Sequence, residues 1–397
     1  MSGQPTLMVL GAGVNQVPGI RRAVASGLRV LTVDWDLGNP GHRHGQASFE
    51  ASTTDVESVL ALARRESPDG IVTFASDAAT GTVANVARTL GLPGADPEAV
   101  AVLSNKGAFR RLQHSLGLAA PRYTVGSSVD DLRDAWLPTA GPLIVKPVDS
   151  SGSRGVSLVQ YSDRPAFERA VASALSHSRS GKACVEEFIP GEEVGGDALL
   201  VDGSIAYLQC THKLRRGFVV TGHALPPSIR DRQQQAVAAS VEALCRAAGH
   251  RDGVVNFDVI VDGDRATVIE MSPRTGGNGI SALLEAVTGV STVAAAIAFA
   301  LERRPALPRS APIAAHAGSV VLGARVSGPA PRPRSEQQIR DALPELIECV
   351  CEIPRSGEVI AWDHGGNSLG YCVFRCPPDR TYGEIADKAR WAVGLGG

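Results

Sequence analysis

The sequence lacks the features typical of secreted, membrane-spanning and nucleic-acid-binding proteins. Its seven cysteines are odd in number and have no disulfide-framework spacing, which favours a reducing compartment. No run approaches about 18 uninterrupted apolar residues, and the first residues do not form a basic-then-apolar signal pattern. A formal net charge of −2 gives no electrostatic reason to bind nucleic acid or an anionic membrane. We therefore expect a cytoplasmic protein that binds neither.

The composition, 44% hydrophobic and 20% charged, is that of an ordinary globular protein. A chain of 397 residues exceeds one usual core, so two or three domains are expected. Adjacent arginines are scattered among acidic residues, and most of the pairs are expected on solvated helix faces: Arg21-Arg22, Arg64-Arg65, Arg110-Arg111, Arg215-Arg216 and Arg303-Arg304. Cys349-x-Cys351 and Cys372-x3-Cys376 could form a zinc site, but thiols on one strand face also pack as small hydrophobes.

The first 100 residues alternate strands and helices. An apolar strand, Thr6–Leu10, ends in Gly11-Ala12-Gly13, and a second strand ends at Asp34 about 20 residues later. This is the Rossmann pattern, which predicts a parallel sheet. The glycine fingerprint is incomplete because Gln16 stands at the third glycine position. A nicotinamide- or flavin-dependent oxidoreductase is one interpretation, and a degenerate unit that serves as scaffold is the other.

Two β-branched segments between Val254 and Gly279 flank a polar turn and predict a hairpin. Asp258 lies in the first segment and Glu270 in the second. If residues 263–265 form a three-residue loop, the two carboxylates lie directly opposite on one face. Their repulsion would be relieved by a cation, and oxygen ligands suit Mg²⁺ or Mn²⁺. In the alternative, a two-residue loop places them on opposite faces as ordinary solvated acids.

A second motif places a lysine beside a loop rich in serine and glycine. An apolar strand runs into Lys146, and residues 148–156 (VDSSGSRGV) then lead to another strand. Such a loop offers backbone N–H groups and hydroxyls to phosphate oxygens, although it is not a Walker A loop. Lys106 lies in the first turn of a helix that we expect Ser104 to cap, an unfavourable place for a cation unless it contacts an anion. The apolar positions Ala108, Leu112 and Leu116 recur along that helix at helical spacing.

Acidic and basic segments follow. A strand gives way to Glu186-Glu187-Phe188-Ile189-Pro190-Gly191-Glu192-Glu193, whose backbone groups and carboxylates could hold adenine and ribose, or form an exposed acidic turn. Residues 211–217 (THKLRRG) are predicted to form a basic loop before a further apolar stretch.

Taken in order, these motifs resemble the ATP-grasp superfamily, in particular its carboxylate–amine ligases related to carbamoyl-phosphate synthetase and L-amino-acid ligases. The resemblance covers roughly residues 1–300. It implies an α/β and α+β fold with a Rossmann-like N-terminal domain (1–100), a two-lobed ATP-grasp core (101–304) and a small C-terminal α+β lobe (305–397). The match is looser in the last part, which follows a predicted linker, Glu302–Pro308.

The resemblance also implies roles for individual residues. The nucleotide-binding set is Lys106, Lys146, Ser150, Ser151, Gly152, Ser153, Gly155, Glu186, Glu187, Phe188, Ile189 and Glu193. The metal ligands are Asp258, Glu270 and Ser272, and the residues acting on the phosphates are Arg274, Lys146 and Lys213. Ser272 departs from the family pattern, which usually has asparagine there. A hydroxyl reaches less far than an amide oxygen, so a second metal is in doubt.

The expected activity is ATP-dependent ligation of a carboxylate to an amine, with amino-acid or peptide-like substrates and release of ADP and phosphate. The expected cofactors are ATP and Mg²⁺ (or Mn²⁺), and the expected assembly is a homodimer. The alternatives are an ATP-grasp ligase that forms a thioester or carboxylates its substrate, the dinucleotide-dependent oxidoreductase, and a regulatory module that binds ATP without turnover.

Overall fold

The computed structural model describes residues 4–134, 141–160, 162–306, 316–353 and 357–395. The strands, in chain order, are β1 (Thr6–Leu10), β2 (Arg29–Asp34), β3 (Ala47–Glu50), β4 (Gly70–Val72), β5 (Tyr123–Gly126), β6 (Pro142–Pro147), β7 (Ser157–Gln160), β8 (Ala183–Glu187), β9 (Glu192–Val201), β10 (Ser204–Arg216), β11 (Val219–Leu225), β12 (Gly253–Asp262), β13 (Arg265–Ser272), β14 (Ala317–Leu322), β15 (Gly328–Pro329), β16 (Leu346–Cys351), β17 (Glu358–Val359) and β18 (Gly370–Arg375). The α-helices are α1 (Val17–Ala25), α2 (Val56–Glu66), α3 (Asp77–Leu90), α4 (Pro97–Ser104), α5 (Lys106–Ser115), α6 (Val129–Asp134), α7 (Arg164–Ser176), α8 (Asp231–Ala248), α9 (Ile280–Thr288), α10 (Thr292–Ala300), α11 (Glu336–Ala342) and α12 (Tyr382–Ala392). Short 3₁₀ helices span Pro40–His44 and Gly365–Asn367.

The N-terminal part is a parallel sheet in the order β3-β2-β1-β4, as the alternation of strands and helices predicted. Buried hydrogen bonds hold the glycine turn after β1 in place. The buried Asp34 accepts a hydrogen bond from the Ala12 N–H at 2.7 Å, and the Gln16 side-chain amide donates to the Phe74 carbonyl at 2.7 Å. The acid that a dinucleotide site would offer to a ribose is thus already bonded, which favours the scaffold interpretation over an oxidoreductase.

The next part is an antiparallel sheet in the order β5-β8-β6-β7, with α7 packed on it through an apolar core. Helix α5 precedes this sheet, and the expected cap is wrong by one residue. The Asn105 side chain, rather than Ser104, accepts the Ala108 N–H at 3.0 Å. Lys106 is therefore the first residue of α5, and its own N–H donates to the Val148 carbonyl at 3.0 Å. This contact places the start of the helix against the serine- and glycine-rich loop.

The largest sheet has eight antiparallel strands in the order β13-β12-β9-β10-β11-β14-β18-β16. Alternate residues of its strands supply two separate apolar cores. One core lies against α8, and the other lies against α9, α10 and the N-terminal part of the chain. Because α9 and α10 cover only part of the second face, that face also carries the polar residues of the candidate site.

The C-terminal strands β14, β18 and β16 extend this sheet, and β15 pairs with β17 alone. Helices α11 and α12 pack on the C-terminal strands through a third core. The predicted linker lies partly outside the described residues. The mixed α/β and α+β architecture confirms the predicted fold class.

Among the described residues, no single helix is long and apolar enough to cross a membrane. Only α9 and α10 taken together reach that length and hydropathy, and they meet at a bend of 108°.

Candidate active site

Asp258 and Glu270 lie directly opposite each other on β12 and β13, but the route to this register differs from the predicted one. Asp262 pairs with Arg265, so the connection is a two-residue turn and the predicted three-residue loop is wrong. A register shift between Asp258 and Val259 leaves Ile269 as an extra residue on β13. This β-bulge restores the pairing that the short turn would otherwise have destroyed.

Each of these carboxylates is held by a lysine. Lys213 Nζ lies 2.7 Å from Asp258 Oδ2 and 2.8 Å from Glu193 Oε1, and Lys106 Nζ lies 3.0 Å from Glu270 Oε1. Burial raises the pKa of Asp258, Lys213 opposes this, and the neighbouring carboxylates Glu193 and Glu270 add to it. Burial lowers the pKa of Lys213, but Asp258 and Glu193 more than compensate and hold it above its ordinary value. Each of these acids therefore lies beside a lysine.

Lys213 belongs to β10, which runs without a break to Arg216, so the predicted basic loop over residues 211–217 is wrong. The strand extends because it pairs with β9 on one side and with β11 on the other. Arg215, two residues further on the same strand, lies 3.2 Å from Glu193 Oε2. The strand geometry thus brings two cations to the carboxylate that was predicted to bind ribose.

The oxygen-only donor set suits a hard divalent cation such as Mg²⁺. Asp258, Glu270 and Ser272 supply oxygens on adjacent strands, and Ser272 lies buried opposite Asn256. Gly195 faces Asp258 on β9, where a Cβ would lie 2.8 Å from Asp258 Oδ1. Within the described residues, no group of three His, Cys, Asp or Glu side chains could hold a metal ion by itself. A cation here would be bound by two carboxylates together with oxygens of a bound ligand. Among the described residues, the cysteines form no group that could hold zinc.

Glu186 is buried between two cations. Its carboxylate lies 2.7 Å from Lys146 Nζ and 2.9 Å from Arg110 Nε. Burial raises the pKa of Glu186, but Arg110 and Lys146 outweigh it and bring the pKa to about 2. Burial lowers the pKa of Lys146, with Glu186 opposing the change. Glu186 therefore fixes the position of Lys146 through its side chain.

Arg110 is a site residue that the sequence argument missed. It was expected on a solvated face, yet it is fully buried and also donates to the Gln113 side chain and the Ile269 carbonyl. Conversely, Leu116, which was expected on the apolar face of α5, is 41% exposed. The sequence does contain a pattern that could have indicated the role of Arg110. Lys106, Arg110 and Gln113 recur at helical spacing and form a polar stripe along the helix.

The segment after Glu186 borders an apolar cleft. Glu187 ends β8 and pairs with Arg122 at 3.0 Å, and the Phe188 N–H donates to the Pro142 carbonyl at 3.1 Å. No described residue accepts the backbone N–H of Ile189. The cleft is lined by apolar side chains, the bulge residue among them, and by charged side chains. The apolar set is Ile144, Val156, Phe188, Ile189, Ile260 and Ile269, and the charged set is Lys146, Glu186, Glu187, Glu193, Lys213 and Arg215. A flat apolar ring with a polar edge suits this space.

The serine- and glycine-rich loop lies across the same cleft. Gly152, Ser153 and Gly155 have positive φ angles of 68°, 62° and 70°, a conformation that glycine adopts freely and serine rarely. Ser150 contributes its carbonyl to Lys106 Nζ at 2.9 Å. Ser151 contributes its carbonyl to the Arg154 side chain at 3.2 Å. The five predicted loop residues and both lysines are thus brought together.

Two contacts hold this loop in place. The Ser153 hydroxyl donates to the Phe218 carbonyl at 2.6 Å, and the Gly365 N–H donates to the Gly152 carbonyl at 3.0 Å. Phe218 lies in the turn between β10 and β11, and Gly365 begins the second 3₁₀ helix. The C-terminal part of the chain therefore contacts the loop that was predicted to bind phosphate.

Arg274 follows β13 and is oriented by residues that the sequence argument missed. Its Nε lies 2.8 Å from Asp77 Oδ1, and its Nη1 lies 2.7 Å from Asn256 Oδ1. Burial raises the pKa of Asp77, but Arg274 more than compensates and holds it below its ordinary value. Asp77 is the first residue of α3, so this pair joins the N-terminal sheet to the hairpin.

The loop after Arg274 is fixed by the fully buried Asp197. Its carboxylate accepts the Gly276 N–H at 2.9 Å and the Thr292 hydroxyl at 2.9 Å. Burial raises the pKa of Asp197 despite these hydrogen bonds. A Cβ at Gly276 would lie 2.8 Å from Asp197 Oδ1, so the close approach requires glycine. Asp197 thereby sets the direction in which the chain leaves Arg274.

The chain is similar to known proteins in one domain, in sequence and in fold. Residues 139–282 match the family described as "ATP-grasp domain". The uncharacterized protein y4rH of Sinorhizobium fredii is 27% identical over 236 residues, 58% of this chain, and the match spans about half (48%) of that protein. The formate-dependent phosphoribosylglycinamide formyltransferase of Rhodococcus jostii is 27% identical over 295 residues, 71% of this chain and 72% of its own.

Among solved structures, the L-amino acid ligase of Bacillus licheniformis superposes with a TM-score of 0.78 at 20% identity, covering 100% of this chain and 98% of that one. At that identity the likeness shows the fold alone. Residues 139–282 of this chain thus match an ATP-grasp domain, and the whole chain has the fold of the L-amino acid ligase.

Proposed function

We propose that this protein is an ATP-dependent carboxylate–amine ligase. The observation that carries the proposal is the pairing of Asp258 with Glu270, beside Lys213, Lys106 and Arg274. Opposed carboxylates among cations suit a nucleotide whose phosphates share a metal with the protein.

The nucleotide positions follow from the contacts. Adenine lies in the apolar cleft, where the free Ile189 N–H donates to the ring edge. Glu193, which lines the cleft, binds the ribose hydroxyls, and the loop Ser150–Gly155 covers the phosphates. Lys146, positioned by Glu186, contacts phosphate oxygens directly.

Asp258 and Glu270, with Ser272 beside them, would hold Mg²⁺ or Mn²⁺, which would neutralise charge on the phosphates. Arg274, held by Asp77 and Asn256, faces the group that is transferred and stabilises its charge in the transition state. Because its guanidinium is already oriented, little reorganisation is required when the reaction occurs.

The reaction then proceeds in two steps. A substrate carboxylate oxygen attacks the γ-phosphorus, the bond to the β-phosphate oxygen breaks, and ADP leaves with an acyl phosphate formed. An amine nitrogen attacks the acyl carbon, the carbon–oxygen bond breaks, and phosphate and a proton are released. The loop held by Phe218 and Gly365 excludes water, which would otherwise hydrolyse the acyl phosphate.

The names of the relatives support a ligase that acts on small carboxylates and amines, and the predicted amino-acid or peptide-like substrates are part of this proposal. The division of the chain at residues 100 and 304, and assembly as a homodimer, stay predictions.

The test is a phosphate-release screen of the purified chain with ATP, Mg²⁺ and amino acids in pairs. We expect phosphate release above the ATP-only background with particular pairs of amino acids, and an Arg274→Lys variant serves as the low-activity control. Mg²⁺-dependent ADP binding without phosphate release from any pair would indicate a regulatory module. Tight NADH binding without ADP binding would overturn the nucleotide assignment.

A further inference from the structure

Two thiols face each other across the edge of the large sheet, far from the cleft in sequence. Cys349 on β16 and Cys372 on β18 are direct cross-strand partners. The Cys372 thiol donates to Cys349, with 3.4 Å between the two sulfurs. Neither residue takes part in the proposed reaction.

The register decides whether these sulfurs can join. The Glu352 N–H donates to the Leu369 carbonyl at 2.8 Å, so that pair of opposed residues is hydrogen-bonded. Hydrogen-bonded and non-hydrogen-bonded pairs alternate along an antiparallel ladder. Cys349 and Cys372 lie three positions along in the same register, which makes theirs a non-hydrogen-bonded pair. The Cα atoms of such pairs are about 4.5 Å apart, inside the range of about 4.4–6.8 Å that disulfides span.

The two thiols differ in access. Cys372 is buried, whereas Cys349 is half-buried and lines a surface groove of about 160 Å³ that also contains Arg21 and Arg334. An oxidant entering the groove therefore reaches Cys349 before it reaches Cys372.

We propose that Cys349 and Cys372 are an oxidative modification site for peroxides, with Cys349 as the attacking thiol and Cys372 as the resolving thiol. The Cys349 thiolate attacks one oxygen of hydrogen peroxide, the O–O bond breaks, and a sulfenic acid and hydroxide form. The Cys372 sulfur then attacks the sulfenic sulfur, the S–O bond breaks, and the disulfide forms as its thiol proton leaves with hydroxide as water. Two thiols are oxidised and one peroxide is reduced to two waters.

The cross-link would tie the edge strand β16 to β18. The opposite face of this strand pair carries Glu348 and Tyr371, which line a cavity of about 290 Å³ against α1. A disulfide would therefore hold one wall of that cavity.

The chain offers a matched control. Cys351 lies on the same strand two residues beyond Cys349 and lines the same groove, but it faces Gly370 and has no thiol opposite it. The test treats the reduced full-length protein with hydrogen peroxide and maps its peptides by mass spectrometry. Cys349→Ser, Cys372→Ser and Cys351→Ser variants are treated in parallel, and Cys372→Ala replaces Cys372→Ser if that variant does not fold.

We expect the wild type and the Cys351→Ser variant to lose two free thiols and form the Cys349–Cys372 peptide, with a higher melting temperature after oxidation. The variants at Cys349 and Cys372 should form no such peptide, and their melting temperatures should not rise. A cross-link to a different cysteine would overturn the proposal. So would oxidation of Cys349 to sulfinic acid with Cys372 still reduced, or an absence of reaction in the wild type.

Discussion

Replacing Glu186 by glutamine would remove a carboxylate that lies between Arg110 and Lys146, and the cost can be worked from the ion pairs. The pKa of Glu186 is about 2, against an ordinary value of 4.5, because the two cations outweigh the effect of burial. At about 1.4 kcal/mol per pKa unit, ionisation of Glu186 stabilises the folded state by about 3 kcal/mol. Leaving two buried cations without their carboxylate partner brings the expected loss at pH 7 to about 3–5 kcal/mol.

The assay is urea unfolding followed by tryptophan fluorescence, with Glu187→Gln as the control. Glu187 is the next residue along β8, but its partner Arg122 is 62% exposed. A pair so exposed is worth at most about 1 kcal/mol because solvent screens it. We therefore expect the unfolding midpoint of Glu186→Gln to fall well below that of Glu187→Gln.

The pH dependence supplies a second check. The folded pKa of Glu186 is lower than the unfolded value, so its contribution is complete above about pH 4.5 and is lost as the pH falls towards about 2. The difference in the free energy of unfolding between the wild type and Glu186→Gln should decrease as the pH falls over that interval. Equal unfolding midpoints for Glu186→Gln and Glu187→Gln at pH 7 would refute the assignment of Glu186 as the fixed partner of Lys146. So would a difference in stability between the wild type and Glu186→Gln that does not change with pH.

Three further predictions concern the metal site, the phosphoryl group and a buried histidine. Asp258→Asn combined with Glu270→Gln should abolish the Mg²⁺ dependence of ADP binding in calorimetry; a dependence that persists contradicts the ligand assignment. Arg274→Lys should slow phosphate release by about a hundredfold or more while ADP affinity stays unchanged. The reason is that the paired N–H donors of the guanidinium stabilise the transition state rather than bound ADP. An equal loss of ADP affinity would instead indicate a contact made in the ground state. Burial lowers the pKa of His250 to about 4, so the wild type should lose stability, by about 3 kcal/mol, as the pH falls from 6.5 to about 4. His250→Leu should flatten that part of the stability profile in urea unfolding, and an unchanged slope would contradict burial as the cause.

Local patterns in the sequence were enough to predict many of the helices and strands and to nominate candidate site residues. The alternation of strands and helices predicted the parallel N-terminal sheet, and two β-branched segments that flank a polar turn predicted the hairpin that carries Asp258 and Glu270. Residue type and order indicated the lysines and the serine- and glycine-rich loop, since strand ends and turns have local signatures.

The register of the hairpin is where local reasoning failed. The sequence favoured a three-residue turn as the reason that the carboxylates are opposed, and the structure has a two-residue turn and a bulge at Ile269. A bulge depends on what the neighbouring residues pack against. Ile269 lines the cleft and gives its carbonyl to the buried Arg110, contacts that no alternation pattern encodes.

The partners of the charged residues were likewise decided only by the tertiary structure. Arg110 and Arg111 look equivalent in sequence, yet packing of α5 between two sheets buries the first, where Glu186 and two backbone carbonyls satisfy it. Asp77 orients Arg274 across 197 residues of chain. The sequence by itself determined which charges this protein has available, and the tertiary structure determined which of them meet, because a buried charge is stable only where the fold brings its partner to it.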